Sequence, residues 1–167
     1  MTKTAGERQR YVSVIGAGEP TASQAESAYE VGREIARAGH ILVCGGLAGV
    51  MEAAARGAAE AGGISLGILP DDDRSKANPY ITVSIPTGFS HGRNYLVVKS
   101  GDGVIAVGGG AGTLSEIGLA IKLGRPLVLV DSLDVNSLGV PGAELLSASG
   151  PAQAVAAIER AWHLGHY

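Results

Sequence analysis

Gly103-Val104-Ile105-Ala106-Val107 runs directly into Gly108-Gly109-Gly110-Ala111-Gly112-Thr113-Leu114-Ser115-Glu116. The first five residues read as a short buried strand, the glycines as a tight turn, and Thr113–Leu123 as a helix. A strand that passes through glycine into a helix is the repeating unit of a parallel α/β sheet. The same order occurs twice upstream. Tyr11–Gly16 precedes the turn Gly16-Ala17-Gly18-Glu19-Pro20-Thr21 and a helix over Ser23–Ala38, which Gly39 ends. Ile41–Cys44 precedes Gly45-Gly46-Leu47-Ala48-Gly49-Val50-Met51 and a helix over Gly49–Ala61. The face of that second helix (Val50, Ala53, Ala54, Gly57, Ala58, Ala61) is small enough to lie close to the sheet. Further strands are predicted at Ile64–Leu69, Ile81–Ile85 (the weaker) and Pro126–Val130, with helices over Ser90–Ser100 and Pro151–Leu164. Asp131–Gly150 carries no clear pattern. The expectation is one Rossmann-like, nucleotide-binding domain over residues 1–167, with a polar tail at 1–10. Its sheet is doubly wound and mostly parallel, with helices on both faces.

Composition narrows the function. A chain of 167 residues should bury roughly 70% of the surface its unfolded form exposes. Its 26 glycines show no G-X-Y period, so neither collagen nor a disordered linker fits. No apolar run reaches the ~18 residues of a membrane span; no membrane association and a cytoplasmic location are expected. Cys44 is the one cysteine, so no internal disulfide forms, and no Cys/His grouping has metal-ligand spacing. Thirteen basic and sixteen acidic residues leave a net charge of −3, which provides no general attraction to nucleic acid. A small-molecule partner is expected.

In doubly wound sheets ligands bind beyond the carboxyl ends of the strands, so the glycine turns are the place to look. The first begins like a dinucleotide fingerprint but has Thr21 where a third glycine belongs. The second strand ends in Cys44-Gly45, where such a site needs an acidic residue for the ribose. NAD is therefore disfavoured, and Gly16 and Gly18 either make a tight connection or let a ligand pass close to the backbone. The second turn (Gly45, Gly46, Gly49) and the third (Gly109, Gly110, Gly112, Thr113) each open a helix, so backbone N–H groups and the helix dipole favour a phosphate there. Neither has the lysine of a Walker A loop. Two such turns point to an anionic, nucleotide-like ligand. Glu116 has two readings: partner of Thr113 in a capping box, or a carboxylate facing the ligand. Arg93, in Ser90-His91-Gly92-Arg93-Asn94, stands at a helix start, where the dipole disfavours it. It is either a solvated surface arginine or a functional cation.

These residues resemble the Lonely Guy (LOG)-like, "lysine decarboxylase-like" group of Rossmann-type proteins. The motif G-G-x-G-T-x-x-E is matched by Gly109–Glu116, G-G-x-x-G-[LV]-M by Gly45–Met51, and H-x-R by His91-Gly92-Arg93. The likeness spans about Tyr11 to Val130. Gly108 stands where phosphoribohydrolases of the group have proline, Asn94 where they have lysine, and Cys44 in place of a glycine. These departures draw the chain toward the short bacterial branch that includes molybdenum-cofactor carriers. The resemblance implies Arg93 and Glu116 as a catalytic pair, with phosphate on Gly110, Gly112 and Thr113 and with His91 and Met51 nearby. The activity it implies is cleavage of the N-glycosidic bond of a purine nucleoside 5′-monophosphate (AMP or cytokinin riboside monophosphate), with no cofactor. The alternative is a non-catalytic carrier whose bound ligand is molybdenum cofactor. Lysine decarboxylation gains no support, because Lys3, Lys76, Lys99 and Lys122 fall in the tail, in a polar loop or inside helices. The group's members imply a homodimer or homotetramer.

Overall fold

The computed structural model describes residues 9–135, 139–140, 145–146 and 148–164. Its elements are β1 (Tyr11–Gly16), α1 (Ala22–Arg37), β2 (Ile41–Cys44), α2 (Val50–Glu60), β3 (Ile64–Leu69), β4 (Val83–Pro86), α3 (Arg93–Ser100), β5 (Gly103–Val107), α4 (Ala111–Lys122), β6 (Leu127–Val130), β7 (Leu145–Leu146) and α5 (Pro151–His163). All seven strands pair in parallel, in the order β4-β3-β2-β1-β5-β6-β7. The chain builds outward from β1 through β2 and β3 to β4, then returns to β5 on the other side of β1. The order therefore reverses between β1 and β5, where such sheets open a crevice for ligands.

Period-two alternation sorts the core onto two faces. Val12 and Val14 of β1, with Leu42, Ile105 and Val107, pack against α1, α2 and α5. Ile15, Val43, Val104 and Ala106 point the opposite way, onto α3 and α4. The expected doubly wound sheet is what forms.

Several local expectations need correcting. The small face of α2 serves close contact with α1 as well as with the sheet. A Cβ at Gly57 would lie 2.0 Å from the Tyr29 carbonyl oxygen of α1, and one at Gly32 only 1.9 Å from the Ala54 carbonyl oxygen of α2. The strand expected from Ile81 begins at Val83. Before it, the Ser65 hydroxyl donates to the Tyr80 carbonyl (2.9 Å) and accepts from the Thr82 amide (3.0 Å), which also donates to the Ser65 carbonyl (3.1 Å). The helix expected from Ser90 starts with a 3₁₀ turn over Ser90–Gly92, and α3 proper begins at Arg93. Ser90 has φ 49°, which an α-helix cannot accommodate.

The helix starts also differ from expectation. Thr113 does not cap α4, because the helix begins two residues earlier, at Ala111, with Gly110 as N-cap and no side-chain cap. Of the two readings of Glu116, the capping box with Thr113 is thus absent. A complete one occurs instead at α1, where the Thr21 hydroxyl accepts from the Gln24 amide (3.2 Å) and Gln24 Oε1 accepts from the Thr21 amide (3.0 Å).

Candidate functional site

A cavity of about 320 Å³ opens at the β1/β5 reversal, lined by Gly16, Ala17 and Gly18 after β1, Gly45 and Met51 around the start of α2, and Gly110, Gly112, Thr113 and Glu116 of the third turn and α4. His91, Arg93 and Asn94 close the remaining side. Parallel pairing aligns the carboxyl ends of neighbouring strands, so turns far apart in sequence converge here.

Among the expected site residues, the structure separates those that face this cavity from those that shape the turns around it. A Cβ at Gly18, Gly110 or Gly112 would meet no other part of the chain within 4 Å, so these glycines leave room in the cavity itself. Gly16 and Gly45 line it but are also confined by the fold: a Cβ would lie 2.2 Å from the Val107 carbonyl oxygen or 2.5 Å from Arg93 Nη2, respectively. Gly46, Gly49 and Gly109 are set back from the lining. Gly49 has φ 72° and its Cα faces the carbonyl oxygen of Gly18, where a Cβ would come within 2.3 Å.

The end of α4 is left open. Its first-turn amides have no acceptors within the helix and no side chain caps them. They stand with the positive end of the helix dipole at the cavity wall, a setting that favours an anion.

Arg93 is a buried residue at the start of α3, 7% exposed, not a solvated surface arginine. Its Nη1 donates to Asn94 Oδ1 (2.5 Å) and its Nη2 to the Gly45 carbonyl (3.4 Å), while Nε is buried without a hydrogen-bond partner. Asn94, which stands where the phosphoribohydrolases carry lysine, thus props the guanidinium. Burial lowers the pKa of Arg93, and the charge of Glu116 opposes that shift.

Glu116 sits one turn into α4, 8% exposed. No donor among the described residues reaches its carboxylate. Burial pushes its pKa up to about 7, with the Arg93 charge pulling the other way. The two side chains sense each other electrostatically without forming an ion pair, leaving the carboxylate available to a third group in the cavity. A carboxyl group poised near neutrality can hold or release a proton there.

The lining includes residues that the sequence did not mark as site residues: Val14, Ile15 and Ala17. A second cavity of about 430 Å³ adjoins the first, with His91 and Arg93 in both walls. Asp71 and Asp72 line it, together with Ser90 and Gly88. The Asp71–Asp73 run carried no positional signal in the sequence, because its location depends on β3 and β4 lying side by side. Among the described residues, no lysine lines either cavity. Cys44 is fully buried beneath the second turn, and its thiol, pushed up to about 11 by burial, stays protonated near neutral pH. Among the described residues, no group of three His, Cys, Asp or Glu side chains is placed to hold a metal ion. No helix among them is long and apolar enough to cross a membrane.

The parallel sheet, its reversal at β1/β5 and the glycine turns at that point define a Rossmann-like α/β protein of the broad LOG-like type. The chain belongs to the SLOG cluster4 family, which residues 9–157 match. An uncharacterized protein of Archaeoglobus fulgidus is 43% identical over 130 residues, covering 74% of this chain and 85% of its own. The molybdenum cofactor binding protein of the phototrophic bacterium Rippkaea orientalis superposes with a TM-score of 0.84 at 34% identity, over 93% of this chain and 98% of its own. The molybdenum cofactor carrier protein of Chlamydomonas reinhardtii does so with a TM-score of 0.82 at 32% identity, over 93% and 99%.

Proposed function

We propose that the protein binds and carries molybdenum cofactor, a phosphorylated pterin, in the cavity at the β1/β5 reversal. The observation that carries this reading is the likeness, across nearly the whole chain, to two proteins that bind or carry that cofactor. The cavity suits such a cargo. Gly110 and Gly112 leave open space at an uncapped helix end, where the phosphate would rest on the amides of Gly110, Gly112 and Thr113. Arg93 would offset the anion's charge from the opposite wall. Gly16 and Gly18 would let the ligand approach the backbone, and His91 and Met51 would flank it. Incubation with molybdenum cofactor, gel filtration and oxidation to a fluorescent pterin tests the reading. The expected result is stoichiometric pterin in the protein fraction. Pterin no higher than with an unrelated protein would reject it.

A second reading rests on one specific observation, the buried, unpaired Glu116 carboxyl with a pKa near 7 beside Arg93. That pair supports hydrolysis of a nucleoside 5′-monophosphate: the ionised carboxylate would steady the oxocarbenium-like sugar as the base departs. Arg93 would hold the carboxylate and the phosphate in place. Release of adenine from AMP that disappears in Glu116→Ala would establish it. Absence of release from AMP and from cytokinin riboside monophosphate would leave the carrier reading alone.

A further inference from the structure

The second cavity has its own chemistry. The loop Thr87–Gly92 is fastened to the end of β3 by backbone bonds, from the Gly88 amide to the Asp71 carbonyl (3.2 Å) and from the Ser90 amide to the Pro70 carbonyl (3.0 Å). Gly88, at φ 64°, is where this matters: a Cβ there would lie 2.2 Å from Asp72 Oδ1. The glycine therefore admits the Asp72 carboxylate onto the loop. The three consecutive aspartates divide their work. Asp73 accepts from the amide (2.8 Å) and hydroxyl (2.6 Å) of Ser75 and builds a 3₁₀ turn. The side chains of Asp71 and Asp72 line the cavity with no hydrogen-bond partner among the described residues.

The cavity also has a cation, supplied from the start of α3 rather than from that loop. Arg93, more than nine-tenths buried, reaches the same cavity with its Nε unpartnered. The cavity thus combines carboxylates, which accept hydrogen bonds, with a guanidinium, the Ser90 hydroxyl and His91, which can donate them. A ring edge that matches this arrangement carries adjacent N–H donors followed by a carbonyl acceptor. His91 and Arg93 belong to both cavities, so a ligand with its phosphate at α4 would run past these two residues to reach the aspartates.

We infer that the Asp71/Asp72 cavity is the specificity site for the ligand's heterocycle and selects the 2-amino-4-oxopyrimidine edge that pterins and guanine nucleotides share. This rests on the reading that the first cavity takes the phosphate. An adenine edge, with an acceptor where the aspartates require a donor, is disfavoured.

Competition binding by calorimetry tests it, with GMP, IMP, AMP, a pterin phosphate and ribose 5-phosphate as ligands. GMP should bind at least about tenfold more tightly than IMP, which lacks the 2-amino group, and AMP more weakly than either. The GMP and pterin arms separate the two sources of the same edge: tighter binding of the pterin phosphate marks a pterin site, tighter binding of GMP a guanine nucleotide site. Asp71→Asn and Asp72→Asn should each reduce the GMP-to-IMP preference while leaving ribose 5-phosphate affinity unchanged, which also reports an intact fold. Phosphate binding with equal affinity for GMP, IMP and AMP would overturn this inference and leave the first cavity's role standing. Failure of every phosphate to bind would overturn both.

Discussion

The glycine turns after β2 and β5 look alike in sequence and differ in what holds them. The turn after β2 is fastened on all sides: the Val50 amide donates to the Ala17 carbonyl (3.0 Å), and the Asn78 amide and Nδ2 donate to the carbonyls of Gly46 and Leu47 (both 2.9 Å). Its glycines are required because neighbouring atoms occupy the space a side chain would need. The turn after β5 is tied down at Gly108, whose amide donates to the Asp131 carbonyl (3.0 Å) and whose carbonyl accepts from the Ser132 hydroxyl (2.5 Å). Beyond Gly109, Gly110 and Gly112 face open space. One turn has glycine because of the fold, whereas the other leaves the same freedom to whatever enters the cavity. A motif alone cannot distinguish these two reasons.

The most damaging substitution should therefore fall in the turn after β2. Gly49→Ala combines a left-handed φ of 72° with a Cβ 2.3 Å from a carbonyl oxygen. A loss of about 3 kcal/mol or more is expected, or roughly 10 °C in the thermal midpoint. An unchanged midpoint would break the comparison. Next comes Glu116, whose effect depends on pH. Its folded-state pKa is raised from 4.5 to about 7, so the folded chain keeps a proton that the unfolded chain has already released. The stability linked to this proton is complete below pH 4.5, falls as pH rises to about 7, and is level above that. The total is at most ~3 kcal/mol. Denaturant titrations of Glu116→Gln across this range should lack the decline, and the variant should be the more stable protein at pH 8. A parallel decline in both proteins would place the linked proton elsewhere.

Smaller effects sharpen the contrast. Thr21→Ala removes the side-chain cap that α1 has and α4 lacks, and should cost about 1 kcal/mol in urea unfolding. Gly112→Ala should change stability least, by less than about 1 kcal/mol and even favourably, since alanine suits a helix better than glycine. It should nevertheless weaken ribose 5-phosphate binding by about tenfold or more, because the added methyl stands in the cavity. Equal affinity in Gly112→Ala would show that the open space at α4 is not where the phosphate rests.

What the sequence made legible is mostly local. The runs Tyr11–Gly16, Ile41–Cys44, Ile64–Leu69 and Gly103–Val107 announce strands at the observed bounds because buried parallel strands are mostly apolar. Two of the T-x-x-E/Q signals were harder to separate. Thr113–Glu116 has the composition of a capping box, but the helix begins at Ala111, which puts both residues inside it. Thr21–Gln24 is the box that forms, although Thr21 attracts notice chiefly as a missing glycine in a dinucleotide fingerprint. The burial of Arg93 and the nearness of Asp71 and Asp72 to His91 depend on which strands become neighbours, information no short window contains.

The crossing of α1 and α2 has a mechanical consequence for the cavity. At Gly32 and Gly57 the two helices meet backbone to backbone, with no side chain between them to change rotamer. The pair therefore behaves as one stiff block, and the start of α2, which presents Met51 beside the cavity, is the working edge of that block. A ligand entering here meets a fixed jaw on the β2 side, so any accommodation of its size falls to the α4 side and to the loop bearing His91.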